Sequence, residues 1–304
     1  MSATQLYKSR QRSVPILLAG CLALVLGLFT TVAQEVQNYS KFERPIMVDS
    51  NGPGSELFVL DTWGTLHVLR VTPTSLLESA SVSLPAELIP SDMAYASFGG
   101  EESVLVAGTQ SGGGIVARYG VTGKLLQTWA FRNVCSGIDF VASNHSAYVA
   151  TSDSNEIYQL DLQKADITFV SRIPGASKLG PLAFDESKQK IYVADIAAGD
   201  IYEYALATKS SKVLIANLSA PTALSFDPDA ALLYIADPGR RAIFTVNPRS
   251  TKPVATQFVS SPLKSPYGMA LMSNDRLAVA DYGANSIFVF SDHRKLLFRF
   301  PPSN

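Results

Sequence analysis

The sequence predicts an all-β fold: a six-bladed β-propeller of four-stranded antiparallel blades, preceded by an N-terminal apolar signal or anchor helix. The main observation is a short apolar strand that recurs six times and ends each time in a small or acidic residue. Those last residues are Asp61, Gly108, Thr151, Asp195, Asp237 and Asp281. Their spacings of 47, 43, 44, 42 and 44 residues match the period of a four-stranded propeller blade.

Each copy repeats the same internal order, shown most clearly by the fourth. An inner strand (Pro181–Phe184) precedes the recurring strand (Ile191–Asp195), and an alternating strand (Ile201–Tyr204) and an outer strand (Val213–Leu218) follow. Alternation of period two with β-branched and aromatic residues is typical of strands. The 17 prolines and 20 glycines, mostly between strands, argue against long helices there.

The predicted domain boundaries follow from these copies. The propeller is expected to occupy residues 45–302 after a linker at 34–44, with Val36–Phe42 as a candidate to help close the ring. The predicted blades span about 45–84, 91–131, 135–173, 179–218, 220–259 and 266–300.

The N-terminal residues have the pattern of an export signal. Lys8, Arg10 and Arg12 precede Val14–Ala33, a stretch of 20 uncharged residues long enough to span a bilayer as a helix. The positive-inside rule keeps the basic flank in the cytoplasm and places the rest outside. Residues 1–33 therefore predict a cleaved signal peptide, an uncleaved membrane anchor, or a lipoprotein signal with lipid on Cys21. Each fate predicts an extracytoplasmic domain, whether periplasmic, secreted or membrane-anchored.

Charge and cysteine content exclude several function classes. The residues after the apolar segment include 22 basic and 26 acidic side chains, which does not favour a nucleic-acid-binding surface. With Cys21 inside the apolar segment, Cys135 has no partner for an internal disulfide. We expect Cys135 to be a buried small apolar residue.

Blades four to six resemble NHL repeats. The similarity lies in Pro221–Pro228 (PTALSFDP) followed by Leu233–Asp237 (LYIAD) and the alternating strand Ile243–Val246. Blade six repeats it with Pro266–Leu271 (PYGMAL), Leu277–Asp281 (LAVAD) and Ile287–Phe290. Blades one to three depart from the repeat, since Gly108 and Thr151 replace its aspartate and Gly112–Gly114 form a predicted glycine turn. The resemblance implies the propeller fold and leaves function open, because such propellers both bind and catalyse.

The residues where the inner strands begin are the candidate site. In a propeller these positions surround one mouth of the central channel, and here they include Asp92, Ser136, Thr222 and Tyr267. Metal-dependent lactonases, which this chain resembles in blade order, place Asn and Asp at such positions to bind a hard cation. Thr222 and Tyr267 stand there instead, so only Asp92 supplies a carboxylate and no metal or other cofactor is predicted.

Other chemical motifs receive structural interpretations. A lyase-type zinc site would need converging histidines, but His67, His145 and His293 fall at three different levels of their blades. The recurring aspartates Asp61, Asp195, Asp237 and Asp281 are expected to accept hydrogen bonds from the backbone of the next turn. Arg240–Arg241 is expected to be a solvated turn.

The favoured function is a non-catalytic binding or scaffold module for a peptide, glycan or protein partner. The alternative is a lactonase- or lyase-like hydrolase with an atypical channel site. Asn38, Asn144 and Asn217 begin glycosylation sequons, which matter only along a eukaryotic secretory route.

Overall fold

The computed structural model describes residues 43–51 and 54–301. These residues form 24 strands in six sheets, each sheet having four antiparallel strands in chain order. The predicted N-terminal helix, most of the linker, the Val36–Phe42 pairing, Cys21 and the Asn38 sequon lie outside the described residues. No helix in the described part is long and apolar enough to cross a membrane.

Blades 1 to 3 use the first twelve strands. Blade 1 consists of β1 (Pro45–Ser50), β2 (Glu56–Asp61), β3 (Thr65–Val71) and β4 (Leu76–Ser83). Blade 2 consists of β5 (Ile89–Phe98), β6 (Glu101–Gln110), β7 (Gly113–Gly120) and β8 (Leu125–Phe131). Blade 3 consists of β9 (Cys135–Val141), β10 (Ser146–Thr151), β11 (Glu156–Asp161) and β12 (Asp166–Arg172).

Blades 4 to 6 use the remaining twelve. Blade 4 consists of β13 (Leu179–Asp185), β14 (Lys190–Asp195), β15 (Asp200–Ala205) and β16 (Ser210–Ile215). Blade 5 consists of β17 (Ala223–Asp227), β18 (Leu232–Asp237), β19 (Ala242–Val246) and β20 (Thr256–Val259). Blade 6 consists of β21 (Pro266–Met272), β22 (Arg276–Asp281), β23 (Ser286–Phe290) and β24 (Leu296–Phe300). The six-bladed, four-stranded prediction is confirmed.

The hydrophobic core lies between the blades. Separate buried clusters join blades 1 and 2, 2 and 3, 3 and 4, 4 and 5, and 5 and 6. An aromatic ring on the second strand of one blade repeatedly packs on the inner strand of the next. The ring centroids are 5.2 Å apart for Phe58–Tyr95, 4.7 Å for Tyr148–Phe184 and 5.5 Å for Tyr192–Phe226. The blade period thus places one aromatic side chain where the neighbouring blade needs apolar surface.

The ring closes between blades 6 and 1. All four strands of blade 6 come from the C-terminal segment, and its inner strand β21 packs directly on β1. Gly268 permits this approach, because a Cβ there would lie 2.8 Å from the Ile46 carbonyl oxygen. The Ser50 hydroxyl donates to the Leu271 carbonyl at 2.6 Å, and the Arg44 amide donates to the Asn285 side chain.

Blade 2 departs most from the predicted pattern. Its inner strand runs from Ile89 to Phe98, and Pro90 pairs with Gly108. A Cβ at Gly108 would lie 2.2 Å from the Ile89 carbonyl oxygen, so glycine is required where blades 1 and 4 to 6 carry aspartate. The predicted three-glycine turn is wrong in extent. Gln110 pairs with Gly113, so only Ser111 and Gly112 form the turn, and Gly113 and Gly114 belong to β7.

Candidate functional site

The central channel opens into a cavity of about 440 Å³ at the end where the inner strands begin, here called the channel mouth. All four predicted residues line it: Asp92, Ser136, Thr222 and Tyr267. The structure therefore brings together side chains from blades 2, 3, 5 and 6 that are separated by up to 175 residues in the chain.

The four predicted residues differ in whether their side chains already form hydrogen bonds within the protein. The Ser136 hydroxyl donates to the Ala150 carbonyl at 3.2 Å, and the Thr222 hydroxyl donates to the Pro266 carbonyl at 3.4 Å. Both are therefore partly committed to their own surroundings. Tyr267 is 39% exposed, and its ring lies 5.5 Å from that of Tyr282. Tyr267 thus offers an aromatic face to anything that approaches the mouth.

Two further carboxylates line the same cavity, and the sequence analysis missed them. They belong to Asp49 on β1 and Asp139 on β9. Each lies inside its inner strand rather than at its start, where the sequence predicts the residues of the mouth. The signal available was an aspartate within an otherwise apolar inner strand, as in Ile46–Ser50 and Gly137–Val141. Asp92 is thus joined in the cavity by two carboxylates from positions inside the inner strands.

The three carboxylates bridge consecutive blades by one repeated contact. Asp49 accepts the Tyr95 amide at 2.6 Å, Asp92 accepts the Ile138 amide at 2.9 Å, and Asp139 accepts the Phe184 amide at 2.8 Å. Each bond runs from an inner strand to the inner strand of the next blade. The carboxylates consequently join blades 1 to 2, 2 to 3 and 3 to 4 along the channel wall.

Burial shifts the protonation of this cluster. Removal of the carboxylates from water raises the pKa of Asp49 to about 6 and the pKa values of Asp92 and Asp139 to about 7. The bonds from backbone amides oppose this rise, and mutual repulsion adds to it for Asp92 and Asp139. The acidic wall of the channel therefore changes charge close to neutral pH.

The opposite wall of the channel is neutral. Asp49 and Asp139 pair with Phe58 and Tyr148 in the β registers of their blades. The residues in the same register of blades 4, 5 and 6 are Ala183, Ser225 and Ala270. Lys178 is the one cation among the described residues that line the cavity. The charge of the channel is thus concentrated on blades 1 to 3, here called the acidic sector.

The propeller face that holds the mouth, here called the rim, carries large apolar side chains. Trp63 is 77% exposed in the turn after β2, and Ile89 is 67% exposed at the start of β5. Both lie at the mouth end, because the end of β2 pairs with the start of β1. Arg44 extends the same face: its guanidinium stacks 5.2 Å from the centre of the Tyr282 ring and donates to the Tyr282 hydroxyl at 3.0 Å.

The recurring aspartates serve the fold, as predicted. Asp195 accepts the amides of Ser177, Lys178, Ala197 and Ala198. Asp237 and Asp281 hold equivalent amides in blades 5 and 6. These aspartates are buried and join the segment that enters each blade to the turn after its second strand. They do not reach the channel cavity.

The histidines and Cys135 lie away from the cavity. His67 is fully buried and contacts Glu78 at 2.7 Å and Asp61 at 3.2 Å. Burial alone lowers the pKa of His67, but the two carboxylates outweigh it and raise the value to about 9. Cys135 is buried as predicted, and burial raises the pKa of its thiol to about 12. Among the described residues, no group of three or more His, Cys, Asp and Glu is placed to hold a metal ion.

The Arg240 side chain makes contacts within the fold, although Arg240–Arg241 is predicted to be a solvated turn. Its side chain donates to the Asn217 carbonyl, lies 3.6 Å from the Asp237 carboxylate and stacks on the Phe244 ring. It therefore links the turn of blade 5 to the segment that enters that blade. Asn144 and Asn217, which begin two of the sequons, are both exposed.

No family model and no curated protein sequence matches this chain. Solved structures do match. A crystal structure of a nidogen/laminin complex aligns with a TM-score of 0.66 at 15% identity and covers 81% of this chain and 93% of that one. The fold is thus an NHL-like six-bladed β-propeller.

Two bacterial structures share the fold at similar distance. Virginiamycin B lyase from Staphylococcus aureus, crystallised in a catalytically inactive form with Quinupristin, aligns with a TM-score of 0.60 at 12% identity and covers 84% of each chain. A protein of unknown function from Bacteroides thetaiotaomicron aligns with a TM-score of 0.62 at 10% identity and covers 81% of this chain and 69% of that one. Such distant matches establish the architecture and leave activity to the site.

Proposed function

We propose that this chain is a non-catalytic binding module that holds a protein or peptide partner at the channel mouth. The observation that carries this proposal is the meeting of a 440 Å³ cavity with exposed aromatic side chains on one face. Trp63, Tyr267 and Arg44 are of the residue types that dominate binding energy at protein interfaces. The cavity between the blades would receive a side chain, and the rim would contact the flanking segment.

The comparisons are compatible with this use of the fold. One neighbour was crystallised in a complex of nidogen with laminin, and another with Quinupristin. We further propose that the module is displayed outside the cytoplasm, because the basic residues before Val14–Ala33 favour that orientation. Protease accessibility in intact cells tests this placement, with a cytoplasmic protein as the control.

The experiment is a selection of peptides from a random display library on the full-length chain in detergent. We expect the enriched peptides to lose at least tenfold in affinity on Trp63→Ala or Tyr267→Ala. The matched controls are Phe169→Ala and Leu296→Ala, which remove exposed apolar side chains from outer strands. No enrichment, or equal losses for rim and control variants, would overturn the proposal.

A hydrolase remains the second candidate because of one specific feature. Carboxyl groups with raised pKa values inside a cavity resemble the catalytic acids of enzymes, and Asp49, Asp92 and Asp139 are such groups. Against this, each already accepts a backbone amide from the next blade. Turnover of lactone and ester substrates that is lost in Asp92→Asn would favour the enzyme.

A further inference from the structure

The acidic sector keeps hydrogen-bonding capacity that the protein does not use. An ionised carboxylate can accept about four hydrogen bonds. Asp92 receives one from the Met93 amide at 2.9 Å and one from the Ile138 amide at 2.9 Å. Since these bonds come from the channel wall and Asp92 also lines the cavity, further lone pairs are available to a group in the cavity.

A hydroxyl beside the acidic sector is also unused. Ser152 lies in the turn after β10, is 9% exposed and lines the cavity. Its backbone amide donates to the Val134 carbonyl at 3.0 Å, but its hydroxyl has no hydrogen-bond partner among the described residues. Because Ser152 lines the cavity, its hydroxyl can accept a hydrogen bond from a group that enters it.

The charges of the lining define what such a ligand must be. Three carboxylates face one cation, Lys178, which is exposed at the mouth. The remaining titratable group on the lining is Tyr267, and the wall formed by blades 4 to 6 is neutral. A donor with positive charge satisfies both the carboxylates and the Ser152 hydroxyl, whereas an anion would meet repulsion from the acidic sector.

We propose that the acidic sector receives one cationic side chain, the guanidinium of an arginine or the ammonium of a lysine, from the bound partner polypeptide. This proposal rests on the function proposed above and adds the chemistry that the channel selects. The cation lies against Asp92, Asp139 and Ser152, and the Tyr267 ring packs on the apolar stem of the inserted side chain. Asp49, which occupies the same register of its blade as Asp139, contributes charge from blade 1.

The test uses two probes of the same shape. N-acetyl-arginine amide carries the guanidinium, and N-acetyl-citrulline amide replaces it with a neutral urea. We expect NMR titration of the full-length chain at pH 8 to show at least tenfold weaker binding of the citrulline probe. Equal affinities, or no binding of the arginine probe at 50-fold excess over the protein, would overturn the proposal.

Variants locate the bound cation. Asp92→Asn and Asp139→Asn remove charge with little change of shape, and we expect each to weaken the arginine probe at least fivefold. The matched control is Asp229→Asn, in the exposed turn after β17, which leaves the affinity unchanged. If the control weakens the probe as much as the channel variants, the effect comes from overall charge and the proposed site is wrong.

Acidification provides an independent measurement on the unaltered chain. At pH 5 the three channel carboxyls bind protons, while arginine keeps its charge. We expect the arginine probe to bind at least tenfold more weakly at pH 5 than at pH 8, and the citrulline probe to change little. An arginine affinity that does not vary with pH contradicts the proposal.

The two proposals fail in different ways. If peptides selected on the mouth depend on Trp63 and Tyr267 but carry no basic residue, and arginine and citrulline probes bind alike, the cation site is wrong and the binding module stands. If the arginine probe binds but no peptide depends on the rim, the channel binds a small cation and the protein-binding proposal is wrong.

Discussion

Blades 4 to 6 and blades 1 to 3 share one architecture but place their aspartates at different positions. In blades 4 to 6, Asp195, Asp237 and Asp281 end the second strand and each holds at least three backbone amides. In blades 2 and 3 the same position carries Gly108 and Thr151. In blades 1 to 3, aspartates lie on the inner strands, where they line the channel.

This difference in aspartate position shows that the channel charge lies in the blades that depart from the repeat pattern. The copies that keep the NHL pattern use their polar residues to hold turns, and their channel wall is neutral. The copies that depart from it have other means of holding the turn. In blade 3, Asp153 accepts the Val134 amide at 3.0 Å. Blade 1 keeps Asp61, which accepts the Trp63 and Thr65 amides and also contacts His67. The acidic sector therefore lies in the half of the ring where blades 2 and 3 lack the turn aspartate, whereas blade 1 has both Asp61 and the channel residue Asp49.

The largest effect is expected from the buried ion cluster of blade 1. His67→Ala leaves the Asp61 and Glu78 carboxylates buried without their cation, which typically costs about 3–5 kcal/mol. Denaturant unfolding monitored by circular dichroism measures the loss. The control is His293→Ala, whose side chain is 90% exposed. A loss below about 1 kcal/mol for His67→Ala would mean that the cluster does not stabilise blade 1.

The turn aspartates of the regular half come next. Asp281→Ala removes the acceptor for the amides of Lys264, Ser265 and Ala284, and we expect a loss of about 2–4 kcal/mol. Thr151→Ala in blade 3 removes an oxygen that accepts one amide, that of Glu156, at 3.3 Å, and the expected loss is about 1 kcal/mol. Equal losses at the two positions would contradict the division between the two halves.

A smaller effect concerns pH, and it belongs to the acidic sector. The folded-state pKa values of Asp49, Asp92 and Asp139, at about 6, 7 and 7, lie above the unfolded value for aspartate of about 3.9. The folded chain therefore binds more protons than the unfolded chain between pH 4 and 7. The free energy of unfolding consequently falls as pH rises through this window.

The contribution of His67 occupies a higher window. The pKa of the His67 side chain in the folded state is about 9. Its stabilising contribution is therefore fully present below pH 6.5 and is lost as pH rises through 9. Unfolding measured at pH 5.0 and 6.5 thus isolates the carboxylates, and we expect each of the three to lower the stability at pH 6.5 by about 1–2 kcal/mol. Asp92→Asn should shrink this difference and Asp229→Asn should leave it intact. A stability that rises from pH 5.0 to 6.5 would contradict the buried carboxylates.

The smallest stability effect is expected at the rim. Trp63→Ala and Tyr267→Ala alter exposed side chains, so the free energy of unfolding should change by no more than about 0.5 kcal/mol. The same truncation of Tyr192, which is fully buried against Phe226, should cost about 3–5 kcal/mol. A large loss at Trp63 would show that it packs within the fold rather than awaiting a partner.

Much of the fold could be predicted from the sequence because the blade period is local. The spacing of Asp195, Asp237 and Asp281 fixes the length of each blade, and alternation identifies the strands between them. Blade 2 is harder, because the pairing of Pro90 with Gly108 depends on a close backbone approach that no residue pattern announces.

The candidate site could be predicted only in part, for a related reason. The first residues of the inner strands are recognisable, so Asp92, Ser136, Thr222 and Tyr267 were found. Asp49 and Asp139 face the channel because of the register of β1 with β2 and of β9 with β10. Their bonds to the following blade join residues about 45 positions apart, and such contacts exist only once the ring has formed.

The most direct test of the binding account is hydrogen–deuterium exchange on the full-length chain, with and without a peptide selected at the mouth. The account predicts that protection rises at the starts of the inner strands of blades 2, 3 and 6, including Ser91–Met93, Cys135–Ile138 and Pro266–Gly268. The outer strands should exchange as they do without peptide. Protection confined to outer strands such as β12 or β16 would contradict a binding site at the channel mouth.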